Sequence, residues 1–514
     1  MNDDSVQPNI GTTKTATGTP PSSDDVQRSS ARWRSVWRIH FYSGMFAMPF
    51  LLLMAITGLV ILYTQPIEDL SQADIRLVDR GDQMMSFDTQ AAAVATAYPD
   101  AVLGDLTPPA ASNRATRFFV DDGSGAGLHV FVDPYRGEVL GDSKPGGGIV
   151  GLANRLHGFL NNESIMVPLP TVSAFWDDGA VMRDYVLGDI ILEILGIWTL
   201  VLVSTGLFIW WPRSSRWSNG TKGGRKYFGM RRDTSGRARW RDLHGLGGVM
   251  VLGVMILTLV SGMAWSSYWG ANFASFTNEV TPGEPVDQPT STPAVRGDLD
   301  RFGNQIPWNT GDRPIPASYM PTSDGTSPTP LSLDEVVRIA EEEGMKPGYT
   351  ISFPVNDVDE AANPVFGSFT LYNSWPRKTS EARDLFVDQF TGETLAEQNV
   401  YGYGALSVGM DTLVSTHMGT QLGIFSRILM TMLCVLTIWS VISALVMFKK
   451  RRRPGTAGLP RRPSQVGLAG GVIAVGAVIA VVYPLWGLTA FIVAGLDRFV
   501  VRRVPVLRRT FGQA

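Results

Sequence analysis

Four stretches of this 514-residue chain are apolar over the length of a membrane crossing, and that limits the fold more than any motif does. Met48–Leu62 is almost unbroken, with apolar character reaching back to Phe41. Ile190–Trp211 holds a single charge, Glu193, while Leu246–Trp265 and Ile428–Phe448 hold none. A helix crossing the ~30 Å hydrocarbon core needs about 20 such residues. Water is absent there, so a spanning segment must satisfy its own backbone hydrogen bonds. Whole-chain averages conceal the pattern. At 44% hydrophobic and net charge −3 the composition resembles that of a soluble protein, because the apolar residues are segregated rather than abundant. A fifth apolar region, Val466–Leu496, is too long for one ordinary span and is interrupted at Tyr483-Pro484. It reads as two short helices or a re-entrant hairpin.

Basic residues orient the spans, since Lys and Arg collect on the cytoplasmic side. Arg28, Arg32, Arg34 and Arg38 precede the first span, ten basic residues lie in 212–243, and Lys449-Lys450-Arg451-Arg452-Arg453 follow the fourth. The expected order is therefore a disordered cytoplasmic tail 1–32, span 33–64, outer domain 65–186, span 187–212 and basic loop 213–242. Then come span 243–268, outer domain 269–420, span 421–448, basic loop 449–465, apolar hairpin 466–497 and basic tail 498–514. The expectation is a multi-pass protein of a bacterial inner membrane, with its N-terminus in the cytoplasm and its outer domains outside, in the periplasm if the cell is Gram-negative. The first 27 residues are rich in Ser, Thr, Pro and Asp and should be disordered. They lack the basic and apolar regions of a cleavable signal. One cysteine, Cys434, rules out a disulfide framework, so the outer domains must be stable through their own cores.

The two halves, 34–212 and 240–449, repeat one another. His40 is followed by Gly44 and Gly58, and His244 by Gly248 and Gly262, at identical spacings of four and eighteen. Phe131-Val132-Asp133 with Gly137-Glu138 matches Phe386-Val387-Asp388 with Gly392-Glu393, and Ile197-Trp198 matches Ile438-Trp439. Each outer domain opens with a helix, Ser86–Ala97 or Ser332–Glu343. In the second, Ser332 and Glu335 have the spacing of a capping box. Strands follow at 117–120 and 127–132, then at 367–372 and 383–387, while Thr281–Pro330 is expected to be irregular. The fold class is thus a helical membrane bundle with two outer α+β domains, built by internal duplication.

This paired layout, His-x3-Gly spans with a helix–strand module ending Phe-Val-Asp-x3-Gly-Glu, resembles the PepSY-associated transmembrane family over roughly residues 33–449. That family includes iron-regulated inner-membrane proteins and ferrisiderophore reductases. The resemblance implies two PepSY-like outer domains and a di-haem bundle that passes electrons to ferric chelates in the periplasm. One departure stands out. His417 lies just before its span, whereas Asn161–Leu187 separates His157 from its own, so His157 must reach the membrane through an interfacial segment, Val150–Leu160.

The residues support haem independently of the resemblance. Histidine is scarce at membrane depth and needs a partner there. Haem iron takes an imidazole on each axial side. Topology puts His40 and His244 at the cytoplasmic end, and His157 and His417 at the outer end, giving two bis-histidine iron sites and two haem b groups per chain. Gly44 and Gly248, one turn past the inner histidines, leave room for a flat macrocycle against the helix backbone, or serve close helix packing. Arg38 and Arg241 are candidate partners for haem propionates, or simply mark the cytoplasmic side. Glu193 is a candidate proton acceptor or quinone contact, or an interfacial carboxylate reaching outward. His129 reads as a solvated strand residue and aligns with Asp384.

Other chemistries lack their motifs. No Gly-x4-Gly-Lys-Ser/Thr phosphate loop, Cys-x2-Cys, His-Glu-x2-His or nucleotide-binding Gly-x-Gly-x2-Gly after a strand occurs. Electrons must then come from membrane quinol or a partner reductase. The basic loops explain topology and lipid contact and give no warrant for nucleic acid. The expected function is reduction of a ferric siderophore or other ferric chelate. Two alternatives are a non-redox membrane protein that binds or regulates a periplasmic partner, and a permease for a siderophore or metal.

Overall fold

The computed structural model describes residues 23–123, 127–162, 164–171, 182–211, 235–281, 290–295, 314–319, 329–359, 362–402, 404–452, 459 and 470–511. In chain order the first helices are α1 (Ser23–Leu62), α2 (Thr64–Ser71), α3 (Ala73–Arg76) and α4 (Phe87–Ala97). Strands β1 (Val102–Thr107), β2 (Thr116–Asp121), β3 (Leu128–Val132) and β4 (Val139–Ser143) follow. Then come α5 (Gly148–Phe159), β5 (Met166–Pro170), β6 (Met182–Val186), α6 (Leu187–Trp210), α7 (Gly236–Met263) and α8 (Trp269–Val280). The second outer segment runs through β7 (Thr290–Val295), β8 (Pro314–Pro316), α9 (Leu333–Glu342), β9 (Thr350–Ser352), β10 (Asp357–Val358) and β11 (Pro364–Val365). It continues with β12 (Ser368–Tyr372), β13 (Arg383–Asp388), β14 (Thr394–Asn399) and α10 (Ala405–His417). The chain ends with α11 (Ile424–Arg451), α12 (Gly470–Val482), α13 (Pro484–Leu496) and α14 (Pro505–Thr510).

Five helical stretches are long and apolar enough to cross a membrane: Ala31–Leu62, Leu187–Trp210, Gly236–Met263, Ile424–Arg451 and Pro484–Val501. This is a multi-pass membrane protein. The first four form a bundle in which α1 lies against α6 and α11, and α7 lies against α11 and α6. Large apolar side chains such as Phe46, Met250, Phe425 and Met432 project from its surface, as a lipid-facing bundle requires. Two helices begin earlier than hydropathy suggests. Residues 23–32, expected to be disordered, are helical, and α7 starts at Gly236 within the expected loop. Once a helix has nucleated, each added residue gains a hydrogen bond, so a stable span extends its helix into polar flanks. Residues 1–22 of the expected tail, and most of the expected basic loops, lie outside the described residues.

The final apolar region is two helices broken at Tyr483, as the Tyr483-Pro484 pair predicts. The backbone of Gly487 lies against that of Ala480, so the chain doubles back there. Each helix has 13 residues, about 20 Å at 1.5 Å per residue and short of the membrane core. The second continues as a π turn through Val501, which brings it to span length. Trp486, Ile479 and Tyr483 pack on Ile197 and Met263.

The segments expected as separate outer domains share one antiparallel sheet, ordered β14-β13-β12-β9-β1-β2-β3-β4. Each contributes four strands. They meet where β1 pairs with β9, Asp105 opposite Ser352 and Leu106 opposite Ile351. One face carries the alternating apolar residues Phe118, Val120, Val130, Val132, Leu371, Leu385 and Val387, which close on Val94 of α4 and Val336 of α9 in a single core. The capping box is present, with Ser332 and Glu335 bonded reciprocally. The two helix starts also cap each other. Asp334 accepts from the N–H groups of Phe87 and Asp88, and Asp88 accepts from that of Leu333. Within 281–330, expected to be irregular, β7 pairs with β8.

Candidate functional site

His40 and His244 face each other at the end of the bundle that carries Arg38, Arg241 and Lys449, with ring centres 6.5 Å apart and planes at 76°. His157 and His417 face each other at the sheet end, 6.3 Å apart at 70°. These are the pairs that topology predicts. Neither pair is in direct hydrogen-bond contact through its rings. The space between the rings would admit a metal ion held by one nitrogen of each.

The hydrogen bonds decide which nitrogen is free. His40 Nδ1 lies 3.0 Å from the Leu202 carbonyl and 3.2 Å from Thr205 Oγ1. His244 Nδ1 lies 3.1 Å from the Ser440 carbonyl and 3.0 Å from Ser443 Oγ. Thr57 Oγ1 is 2.8 Å from His157 Nδ1, and Ser261 Oγ is 3.0 Å from His417 Nδ1. All four hydroxyls already donate to carbonyls of their own helices: Thr205 to Val201, Ser443 to Ser440, Thr57 to Leu53 and Ser261 to Thr258. Each can therefore only accept from the imidazole, and so can a carbonyl. The carbonyls place the proton on Nδ1 of His40 and His244, and the same tautomer at His157 and His417 leaves every Nε2 lone pair to a metal. A bonded Nδ1–H also orients a ligand imidazole and raises its basicity.

The hydroxyl partners recur at fixed offsets. Thr57 and Ser261 each lie seventeen residues beyond His40 and His244 on α1 and α7, and Thr205 and Ser443 each lie three beyond the carbonyls they flank. Seventeen helical residues rise about 25 Å, so the two pairs sit near opposite ends of the span. These four residues were not singled out from the sequence. The signal was present, because a hydroxyl residue directly precedes each repeated glycine, Gly58 and Gly262.

His157 is placed by α5, which packs on α1. Within the insertion that separates it from its span, β5 and β6 pair with each other. The glycines have distinct surroundings. A methyl group at Gly58 or Gly262 would meet Cε1 of His157 or His417, at 3.4 and 3.6 Å, and one at Gly206 would meet His40 Cε1 at 3.0 Å. Gly44 faces Leu202, whereas Gly248 opens onto free space. Arg38 donates to Tyr42, 2.9 Å, and Arg241 to its neighbour Asp242, 3.2 Å. Glu193 does not reach outward. It is buried and accepts from the Trp269 N–H at 2.9 Å at the start of α8. His129 is only half-buried, and its ring meets that of Phe119 edge-on. Burial, with Arg117 and Arg76 adding to it, pushes its pKa down to about 2.

Among the described residues, no group of three or more His, Cys, Asp or Glu is placed to hold a metal ion. Two protein ligands per site are too few for a structural or catalytic zinc, and they match the axial demand of haem. The residues thus fit that group: facing imidazoles, each held at Nδ1, and glycines at the ring edges. Comparison with known proteins gives one match and one blank. The family described as the PepSY-associated TM region matches residues 37–451. No curated relative matches the chain.

Proposed function

The chain belongs to the PepSY-associated transmembrane family, and from that premise we propose that it is a di-haem electron carrier of the bacterial inner membrane that reduces ferric chelates, siderophores among them, on the periplasmic side. The observation that carries the reading is the pair of opposed imidazoles at each end of the bundle, with every Nδ1 engaged and every Nε2 free. His40 and His244 would hold one haem b, and His157 and His417 the other. Bound haem supplies one-electron iron chemistry at both faces. The protein's part is to fix the rings and to keep water from them. The folded polar mass lies at the sheet end, so the acceptor is expected there, and the basic end is expected in the cytoplasm. One electron converts the chelated Fe(III) to Fe(II), which hard oxygen ligands hold less tightly. Repetition of the same offsets in both halves supports an origin by duplication.

Protein purified from haem-replete cells should show a Soret band and sharp α-bands on reduction, with a pyridine haemochrome ratio near two per chain. A ratio near zero would end the proposal. Oriented vesicles reduced from the basic side should reduce a membrane-impermeant ferric chelate on the sheet side. Chelate reduction confined to the basic face would reverse the assigned direction.

A further inference from the structure

Helix α6 carries Asp189 and Glu193 one turn apart, both buried. One oxygen of each accepts from the start of α8: Asp189 from the Ser267 N–H, Glu193 Oε2 from the Trp269 N–H. That capping explains half of Glu193. Its side chain is 2% exposed, and Oε1 is buried with no hydrogen-bond partner among the described residues. The nearby Ser266 hydroxyl already donates to the Met263 carbonyl at 2.9 Å. A buried carboxylate oxygen left unpaired is costly. Trp486 of α13, 8% exposed, likewise has a buried indole N–H without a partner, whereas the adjoining Trp198 donates to Thr489. Aromatic rings surround both groups. Tyr483 stacks on Trp269 at 5.2 Å, Tyr185 meets Tyr268 at 5.1 Å, and Trp198 meets Trp486 at 5.7 Å.

We propose that this cluster binds the hydroquinone headgroup of a membrane quinol, with Glu193 Oε1 accepting from one ring hydroxyl and the Trp486 indole donating to a ring oxygen. A flat ring with polar atoms on its edges needs aromatic faces plus a few placed polar groups. Both unpaired groups here lie among such faces. On α13, Leu488 and Phe491 (78% exposed) project from the protein surface beside the cluster, giving an apolar tail a route to the bilayer. The site adjoins the sheet-end pair. Gly188, five residues before Glu193, is seated against the carbonyl of Phe159, two residues past His157. Tyr483 and Trp486 lie beyond residue 451, where the family match ends, so half of the site comes from an element the family description does not include.

The biological meaning of this site rests on the electron-transfer reading, but binding is measurable without it. Full-length protein in nanodiscs of quinone-free phospholipid should bind ubiquinol-1 saturably under anaerobic dialysis when pre-reduced, with ubiquinone-1 measured on the oxidised protein so that neither form is converted. It should favour the hydroquinone over ubiquinone-1 by about tenfold, one hydrogen bond to a charged group. Glu193→Gln keeps an acceptor for the Trp269 N–H, so α8 stays capped, yet it should abolish that preference. Trp486→Phe should weaken both forms by several-fold, and Asp189→Asn should change neither by more than about twofold. Absence of saturable binding, or unchanged affinity and preference in Glu193→Gln and Trp486→Phe, would overturn the proposal. Haem content is read on the same samples. Quinol binding to haem-free protein would leave this site standing while the electron-transfer reading fails. Haem without quinol binding would remove the site alone.

Discussion

His40 and His244 sit within helices of 40 and 28 residues, whereas His157 and His417 lie in the last turns of helices of 12 and 13 that hang from the sheet. Ring separations and planes nearly coincide in the two pairs, but their support differs. At the basic end each Nδ1 has two acceptors on the facing helix, one of them a backbone carbonyl that no substitution removes. At the sheet end His157 Nδ1 meets the Thr57 hydroxyl and the ring also bonds to the Met54 carbonyl, whereas His417 Nδ1 meets the Ser261 hydroxyl, and the helices must first dock. Helix α10 is held by the buried Arg377–Asp411 pair and by Thr379 against Ser415. Helix α5 is held by Gly188 against Phe159 and by Arg155 on the Gly146 carbonyl. The basic-end pair is thus a product of bundle packing, and the sheet-end pair depends as well on the outer sheet being folded.

The largest expected effect tests the pairing itself. His40→Ala and His244→Ala should each lower the haem ratio from two to about one by removing the same spectral component, since a bis-histidine iron with one ligand gone is weakly held. His157→Ala and His417→Ala should remove the other component. If His40→Ala and His244→Ala removed different components, and the double variant both, the facing-ring assignment would be wrong.

A smaller effect sharpens the contrast in support. Ser261→Ala deletes the side-chain acceptor of His417 Nδ1 and should weaken haem retention at the sheet end by roughly ten- to a hundredfold, whereas Thr57→Val leaves His157 the Met54 carbonyl and should cost less. Thr205→Val and Ser443→Ala leave the Leu202 and Ser440 carbonyls in place and should shift retention at the basic end only a few-fold. Equal losses at both ends, measured by competition with apomyoglobin, would erase the distinction.

The smallest effect concerns the sheet alone. His129 is held neutral in the fold, its pKa pressed far below the ordinary 6.5. Above 6.5 both folded and unfolded chains carry it neutral, so its contribution to stability is complete there. Below 6.5 only the unfolded chain gains the proton, and stability falls with acid by up to about 1 kcal/mol per pH unit. Asp69, held below the carboxylate range chiefly by its bonds to Arg114, adds a loss of the same sign only below about pH 4. As pH falls from 7.5 to 5.5, hydrogen-exchange protection factors in β2–β4, taken relative to intrinsic rates at each pH, should therefore fall, and His129→Gln should flatten the trend. An identical trend in the variant would assign the acid sensitivity elsewhere.

Much of this was legible in the residues. Four spans follow from apolar length, and the pairing of four histidines follows from which end of a span each one occupies. The break at Tyr483-Pro484 and the Ser332 capping box were equally visible, since both rest on chemistry within a few positions. Thr57 and Ser261 were legible but overlooked, because the repeat was traced through glycine and histidine while its hydroxyl position alternates between Thr and Ser. Glu193 gave a correct signal, a carboxylate at membrane depth, without saying that it is buried or that α8 begins against it.

Apolar length, residue spacing and local caps are properties of short stretches of chain, and these the sequence determined by itself: a helical membrane bundle with two polar modules and four histidines at matched positions. Tertiary structure alone decided that the two modules become one sheet, because β1 and β9 pair across some 245 residues, Leu106 against Ile351. It also decided that His157 reaches its partner despite the residues between it and its span, and that Oε1 of Glu193 and the indole N–H of Trp486 are each buried without a partner among the described residues. Such outcomes depend on which edges, carbonyls and hydroxyls meet once distant segments pack, and no local pattern encodes that.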